Sequence, residues 1–185
     1  MKQNESIVMY VLRLAGTLLL ICAVTAGLLA GVNAITAPII AELNAAATQE
    51  AISAVLPGGF DSEITDYADA SGIVSKVYQG ANGYALEVGP GGFDNTITMM
   101  VGVDNEGKVL GISIVNHTET AGLGAVADAD TPKGIAFREQ FIGTSGSVSV
   151  TKDGGTLDAI TGATITSRAI CAGVNAALDC VAGLG

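Results

Sequence analysis

Between Arg13 and Glu42 the chain carries no charged side chain. No other feature limits the fold as strongly. A helix of about 20 apolar residues crosses the ~30 Å hydrocarbon core of a bilayer. The run Leu14-Ala-Gly-Thr-Leu-Leu-Leu-Ile-Cys-Ala-Val-Thr-Ala-Gly-Leu-Leu-Ala-Gly-Val32 reaches that length. Lys2 and Arg13 precede it, and Glu42 and Glu50 follow it. That bias places the N-terminus in the cytoplasm and the remainder outside the cell membrane, with Arg13 able to extend to the headgroups. A cleaved signal peptide is the competing reading, given the basic start and the small residues from Ala30 to Ala34. The apolar run is longer than a usual signal core, so a retained single-pass anchor is expected. Ile21 stands where a lipid-attachment site at Cys22 would need a small residue. The expected division is residues 1–36 for N-terminus and anchor, 37–57 for a connecting helix, and 58–185 for an extracytoplasmic domain. Pro38 suits the opening turn of that second helix, and Pro57-Gly58-Gly59 ends it.

Without the anchor roughly 145 residues remain, enough for one domain with its own core. The net charge is −10 with one histidine and three cysteines in the chain. An acidic surface argues against nucleic acid and against charge-driven binding to anionic lipid. One histidine leaves little for a metal centre or for His-based catalysis, and neither a metal site nor a catalytic residue is expected. Cys171 and Cys180 are nine positions apart on one expected helix. They therefore point to opposite faces and cannot pair; both are expected as small buried apolar residues.

The segment after the acidic stretch Asp61–Asp69, itself expected as a loop, is rich in strand patterns. Residues 73–78, 84–88, 96–103 and 109–115 are β-branched or alternating. The last two are joined across Asp104-Asn105-Glu106-Gly107 as a hairpin. Residues 132–141 read as a helix, 148–151 as a short strand, and 167–181 as a final helix with Ile170, Val174, Ala177, Leu178 and Val181 on one face. Strands come first and helices flank them, so the fold class is α+β with a mainly antiparallel sheet. Gly89-Pro90-Gly91-Gly92 lacks the Lys-Ser/Thr of a P-loop and reads as a turn.

The chemistry concentrates at Asp158-Ala159-Ile160-Thr161-Gly162-Ala163-Thr164. It sets a hydroxyl in a glycine-containing turn just before a helix, where backbone N–H groups and the helix dipole favour a phosphate. No histidine lies near in sequence to activate Thr164, so a catalytic nucleophile is not expected there; an acceptor modified by another protein needs only exposure and a small-residue approach, which Gly162 and Ala163 supply. Asp158 either orders the loop or holds a metal of the modifying enzyme. The plain structural alternative is a helix cap, with Thr164 or Thr166 bonding backbone N–H groups.

This heptapeptide resembles the flavinylation motif Asp-x-x-Ser/Thr-Gly-Ala-Thr/Ser. Gly83-Tyr84-Ala85, Val101-Gly102-Val103-Asp104, Gly107-Lys108-Val109, Gly111-Ile112, the loop His117-Thr118-Glu119-Thr120-Ala121-Gly122-Leu123-Gly124, Phe137, Gln140-Phe141 and Gly143 extend the likeness. The chain resembles the RnfG/NqrC-type FMN-binding subunits. The RnfG branch belongs to Rnf-type ferredoxin:NAD oxidoreductases, and the related NqrC branch to sodium-pumping NADH:quinone oxidoreductases. The chain departs from the pattern at Ala121, where the family usually has proline. The compact length favours the RnfG branch. A non-redox membrane-tethered binding module is the reading from a different class.

The resemblance implies FMN held covalently through a phosphoester at Thr164, attached by a flavin transferase. It implies that Asp158, Thr161, Gly162 and Ala163 form the recognised turn. Glu119, Thr120, Gly122 and Leu123 would line the flavin, and Lys152 would neutralise its phosphate or stay a solvated surface lysine. It further implies an electron-transfer role in an ion-translocating complex, without independent catalysis, embedded in the membrane beside other redox subunits.

Overall fold

The computed structural model describes residues 2–184; the side chains of residues 2–6 and of Val8, including the Lys2 charge invoked for orientation, lie outside the described residues. Two compact units divide at Ala46/Ala47. The first lies within a single helix, α1, which runs from Lys2 to Val55. Its apolar stretch from Met9 onward is long enough to cross a membrane, and none of its most apolar window is buried. Pro38 sits inside this helix instead of opening a second one. The missing N–H leaves the Ala34 carbonyl without its helical partner, a defect that long apolar helices tolerate.

The second unit is an antiparallel sheet with helical layers. Its strands are β1 (Ser62–Ile64), β2 (Val74–Gly80), β3 (Gly83–Val88), β4 (Thr98–Asp104) and β5 (Val109–Asn116), in chain order across the sheet. Helix α2 covers Pro132–Glu139 and helix α3 covers Thr164–Leu184. The architecture is the α+β arrangement expected from strands followed by helices.

Both sheet faces are covered, which explains why the middle of β4, Met99-Met100-Val101-Gly102-Val103, is apolar throughout instead of alternating. On one face Val77, Leu86, Val88, Met99, Val101, Ile112 and Ile114 pack with α3 and with Phe137 and Phe141. On the other, Tyr78, Ala85 and Met100 meet Ala51, Ile52, Val55 and Leu56 from the end of α1. The register aligns Ala85, Gly102 and Gly111 across three adjacent strands. They form a trough of small residues, and a Cβ on Gly102 would strike the Val55 backbone. The helix end therefore seats directly on the sheet.

Three further elements differ from expectation. The acidic stretch holds an edge strand, with Ser62, Glu63 and Ile64 paired to Gln79, Tyr78 and Val77. An edge strand with exposed acidic side chains has no buried face to print a pattern. Residues 148–151 form no strand, because the Asn175 side chain takes both the N–H and the C=O of Val148, at 2.8 and 2.9 Å. Only an isolated bridge links Val150 to Leu157, and Thr151–Asp153 turn as a 3-10 helix. Helix α3 begins at Thr164, three residues before the expected start, and twelve of its residues are buried. Cys171 and Cys180 are both free and buried, as expected of small apolar residues of α3.

Candidate functional site

The motif folds into an ordered turn leading into α3. Gly162 takes φ +81°, the left-handed region that a side chain resists, and a Cβ there would also sit 2.9 Å from Leu123 Cδ2. The Ala163 N–H donates to the Ile160 carbonyl at 2.9 Å. Ser167 Oγ accepts from the Ile160 N–H and donates to the Ala163 carbonyl, both at 3.0 Å. At the other end the Gln140 amide grips the Asp158 backbone, accepting from its N–H at 2.7 Å and donating to its carbonyl at 3.3 Å. The turn is thus stapled by Gln140, just past the end of α2, and by Ser167 on α3.

Thr164 occupies the first position of α3 and is half-buried. Its hydroxyl caps no backbone N–H; it accepts from Lys152 Nζ at 3.2 Å. Thr166 does not cap either. Its hydroxyl donates to Glu119 Oε2, deep in the interior. The capping alternative is therefore not realised, and the helix start keeps its orphan N–H groups facing the Thr164 region.

Glu119 is one of three buried polar residues among those described. Besides the Thr166 hydroxyl, its carboxylate accepts from the Phe93 N–H at 2.7 Å and the Asp94 N–H at 3.3 Å, both through Oε1. A buried carboxylate costs several kcal/mol unless its oxygens are engaged, and here each oxygen has a donor. Gly92 and Gly124 are small for the same reason: a Cβ on either would collide with this carboxylate. His117 is turned away, with Nδ1 accepting from the Glu119 N–H at 3.2 Å and Nε2 3.8 Å from Asp128. It shapes the loop and is partly covered.

Around Thr164 lies a cavity of about 290 Å³. Of the residues singled out from sequence, Glu119, Thr120, Leu123, Lys152, Gly162, Ala163 and Thr164 line it. Asp158, Thr161 and Gly122 line a neighbouring cavity of about 510 Å³ with Lys133, Phe137 and Gln140. Phe93, Ile165 and the buried role of Thr166 at the first cavity were not expected from sequence, nor were Lys133 and Gln140 at the second. Phe93 lies some seventy positions from the motif, and only the fold brings it there. Arg168 pairs with Asp153 through two bonds of 2.7 and 2.6 Å, and that guanidinium holds the Asp153 carboxyl below its ordinary value. The pair fixes the Lys152 turn against the first turn of α3. Among the described residues no group of three or more His, Cys, Asp or Glu is placed to hold a metal ion.

A hydroxyl at a helix start, an ammonium within hydrogen-bond reach and apolar cavity walls meet on an α+β scaffold, a combination suited to a phosphate carried on an apolar group. Residues 92–179 match the FMN-binding domain family, and residues 1–55 match the RnfG N-terminal region. The subunit designated G in the ion-translocating oxidoreductase complex of Methanosarcina acetivorans is 31% identical over 176 residues, covering 89% of this chain and 91% of that protein. Its counterpart in the Na+-translocating ferredoxin:NAD+ oxidoreductase complex of Acetobacterium woodii is 33% identical over 146 residues, 68% of this chain and 69% of its own length. The Vibrio parahaemolyticus counterpart is 38% identical over 86 residues, 45% of this chain and 41% of that one. The chain belongs to the RnfG family of ion-translocating oxidoreductase subunits.

Proposed function

We propose that the chain is the RnfG-type electron-transfer subunit of an ion-translocating ferredoxin:NAD oxidoreductase, anchored in the cell membrane by α1 and carrying FMN covalently on Thr164. The observation that supports this most is the Thr164 hydroxyl. It lies at the start of a 21-residue helix, 3.2 Å from Lys152 Nζ, inside the segment matching an FMN-binding domain. When bound, FMN supplies one- and two-electron redox chemistry at a fixed place on the protein.

The chain's own residues supply attachment and surroundings. Thr164 Oγ would hold the FMN phosphate through a phosphoester bond made by a flavin transferase. Lys152 and the first turn of α3 offset the phosphoester's negative charge. Asp158, Thr161, Gly162 and Ala163 present the turn to the transferase. Thr120 and Leu123 would border the flavin at the Thr164 cavity, with Leu123 offering it an apolar side chain, and Gly122 lies beside them at the neighbouring cavity. The N-terminus is cytoplasmic and the domain of the second unit extracytoplasmic, beside the other membrane and redox subunits. No independent catalysis is assigned to this subunit.

The test is intact mass combined with in-gel flavin fluorescence of the full chain co-expressed with a flavin transferase. The expected result is one FMN increment in the wild-type chain and none in Thr164→Val. A wild-type chain lacking the increment sinks the redox reading. Flavin retained by Thr164→Val moves the acceptor elsewhere, with Thr161 next in line, because Thr166 is buried and already bonded.

A further inference from the structure

Three apolar side chains from three separate segments border the Thr164 cavity and remain open to solvent. Phe93 is 65% exposed, Ile165 50% and Leu123 43%. Leu123 and Ile165 stand next to the motif or its companion loop. Phe93 comes from the β3–β4 connection and has no core role, so its place at the cavity is not a by-product of packing. Its main chain, by contrast, is held firmly. The Phe93 and Asp94 N–H groups converge on Glu119 Oε1, while Glu119 Oε2 takes the hydroxyl of Thr166, two residues past the acceptor. The Gly92 N–H to Asn95 carbonyl bond, 2.7 Å, closes the same loop. One buried carboxylate therefore ties the strand loop that carries Phe93 to the helix turn that carries Thr164.

We propose that Phe93 is the aromatic wall against which the flavin ring rests, and that Glu119 is the positioning residue that sets this wall relative to Thr164. The inference rests on the flavin reading of the site. Its physical basis is that an exposed phenyl ring at the open mouth of the cavity gains from stacking on a flat conjugated ring seated there. A carboxylate with every oxygen engaged is a rigid spacer, whereas a solvated one is not. Glu119 thus acts through the backbone of Phe93 and through Thr166, without touching the ring.

The experiment uses the full chain, matured with a flavin transferase, and reads iodide quenching of the native flavin fluorescence after intact mass has established the adduct. Phe93→Ala alters an exposed side chain and is expected to keep the adduct while the quenching constant rises about threefold, the scale of losing one aromatic contact. Phe93→Trp is expected to quench the flavin directly, since indole in contact with an excited flavin donates an electron to it. Glu119→Ala should raise the quenching constant as Phe93→Ala does. Glu119→Gln should restore it, because the amide still offers an acceptor to the Phe93 N–H and a donor to Thr166 Oγ. Adduct-bearing Phe93→Ala with an unchanged constant overturns the inference, as does loss of the adduct in that variant or an unquenched Phe93→Trp. If Glu119→Ala does not fold, the two Phe93 variants still decide the aromatic wall, and a raised constant in Glu119→Gln overturns the positioning role. A wild-type chain without the adduct removes the underlying reading instead, which the mass measurement distinguishes.

Discussion

Single residues around the motif are constrained by what they touch. Gly124 packs on the Glu119 side chain and the Thr166 hydroxyl. Gly124→Ala is expected to destabilise the chain by about 1–3 kcal/mol, the usual cost of overpacking, measured as a lower denaturant midpoint with an unchanged slope. The Thr164 side chain, by contrast, makes one hydrogen bond among the described residues, to Lys152. Thr164→Val keeps the side chain's size and branching and should change stability by less than about 1 kcal/mol, while abolishing attachment. The cysteines make a second residue-scale case. Burial pushes the Cys171 thiol up to about 11, with the nearby Asp153 charge adding to the effect, and burial raises Cys180 as well. Neither should react with a thiol reagent at pH 7 in the native protein, and both should react after unfolding; a fast native phase from either residue would contradict their burial.

At the scale of elements, side chains replace ladder bonds where the strand pattern fails. Asn175 on α3 acts as the missing strand partner of Val148. Asn175→Ala strands an N–H and a carbonyl together, and a loss of about 1–3 kcal/mol follows, readable by thermal melting of the full chain in detergent. The entry to β2 depends on Asp69, whose carboxylate accepts from the Ser71 hydroxyl and N–H and from the Val74 N–H, at 2.5, 2.9 and 2.8 Å. Partial burial works to raise its pKa, but these hydrogen bonds outweigh it and hold the carboxyl below its ordinary value. A depressed folded pKa contributes stability above the unfolded value and loses it as pH falls through the folded one. Asp69→Asn should therefore lower the melting temperature at pH 7, with the gap to wild type closing below the ordinary carboxylate range. A gap independent of pH would show that charge plays no part at this turn.

At the scale of the molecule, the question is where the water-exposed domain begins. The heptapeptide, the hairpin turn at Asp104–Gly107 and the apolar face of the last helix were legible, because local chemistry decides each of them. The expected start at residue 58 leaves Ile52, Val55 and Leu56 in a connector, yet they are core residues on the second sheet face. We propose a domain limit at Ala47, where the compact unit starts. A chain beginning there should fold and stay soluble, whereas one beginning at residue 58 should lose several kcal/mol, at about 2–3 kcal/mol for each buried large apolar side chain. The full chain should sediment with membranes and resist carbonate extraction. Soluble, folded protein from residue 58 onward would show that the α1 end is dispensable.

The sequence by itself determined the charge-free apolar run, the α+β class and the glycine-containing turn that sets a threonine hydroxyl at a helix start. Each is written in neighbouring residues, through apolar length, through periodicity and through glycine next to threonine ahead of a helix. Only the tertiary structure decided that Thr166 and Glu119 are bonded to each other across 47 positions, that Phe93 reaches the cavity, and that Asn175 stands in for a strand. Those contacts join segments distant in the chain, and no local preference encodes which distant donor will meet a buried carboxylate. The close seat of the α1 end on the sheet is of the same kind: Ala85, Gly102 and Gly111 look like weak strand residues singly, and become a trough only when the register lines them up.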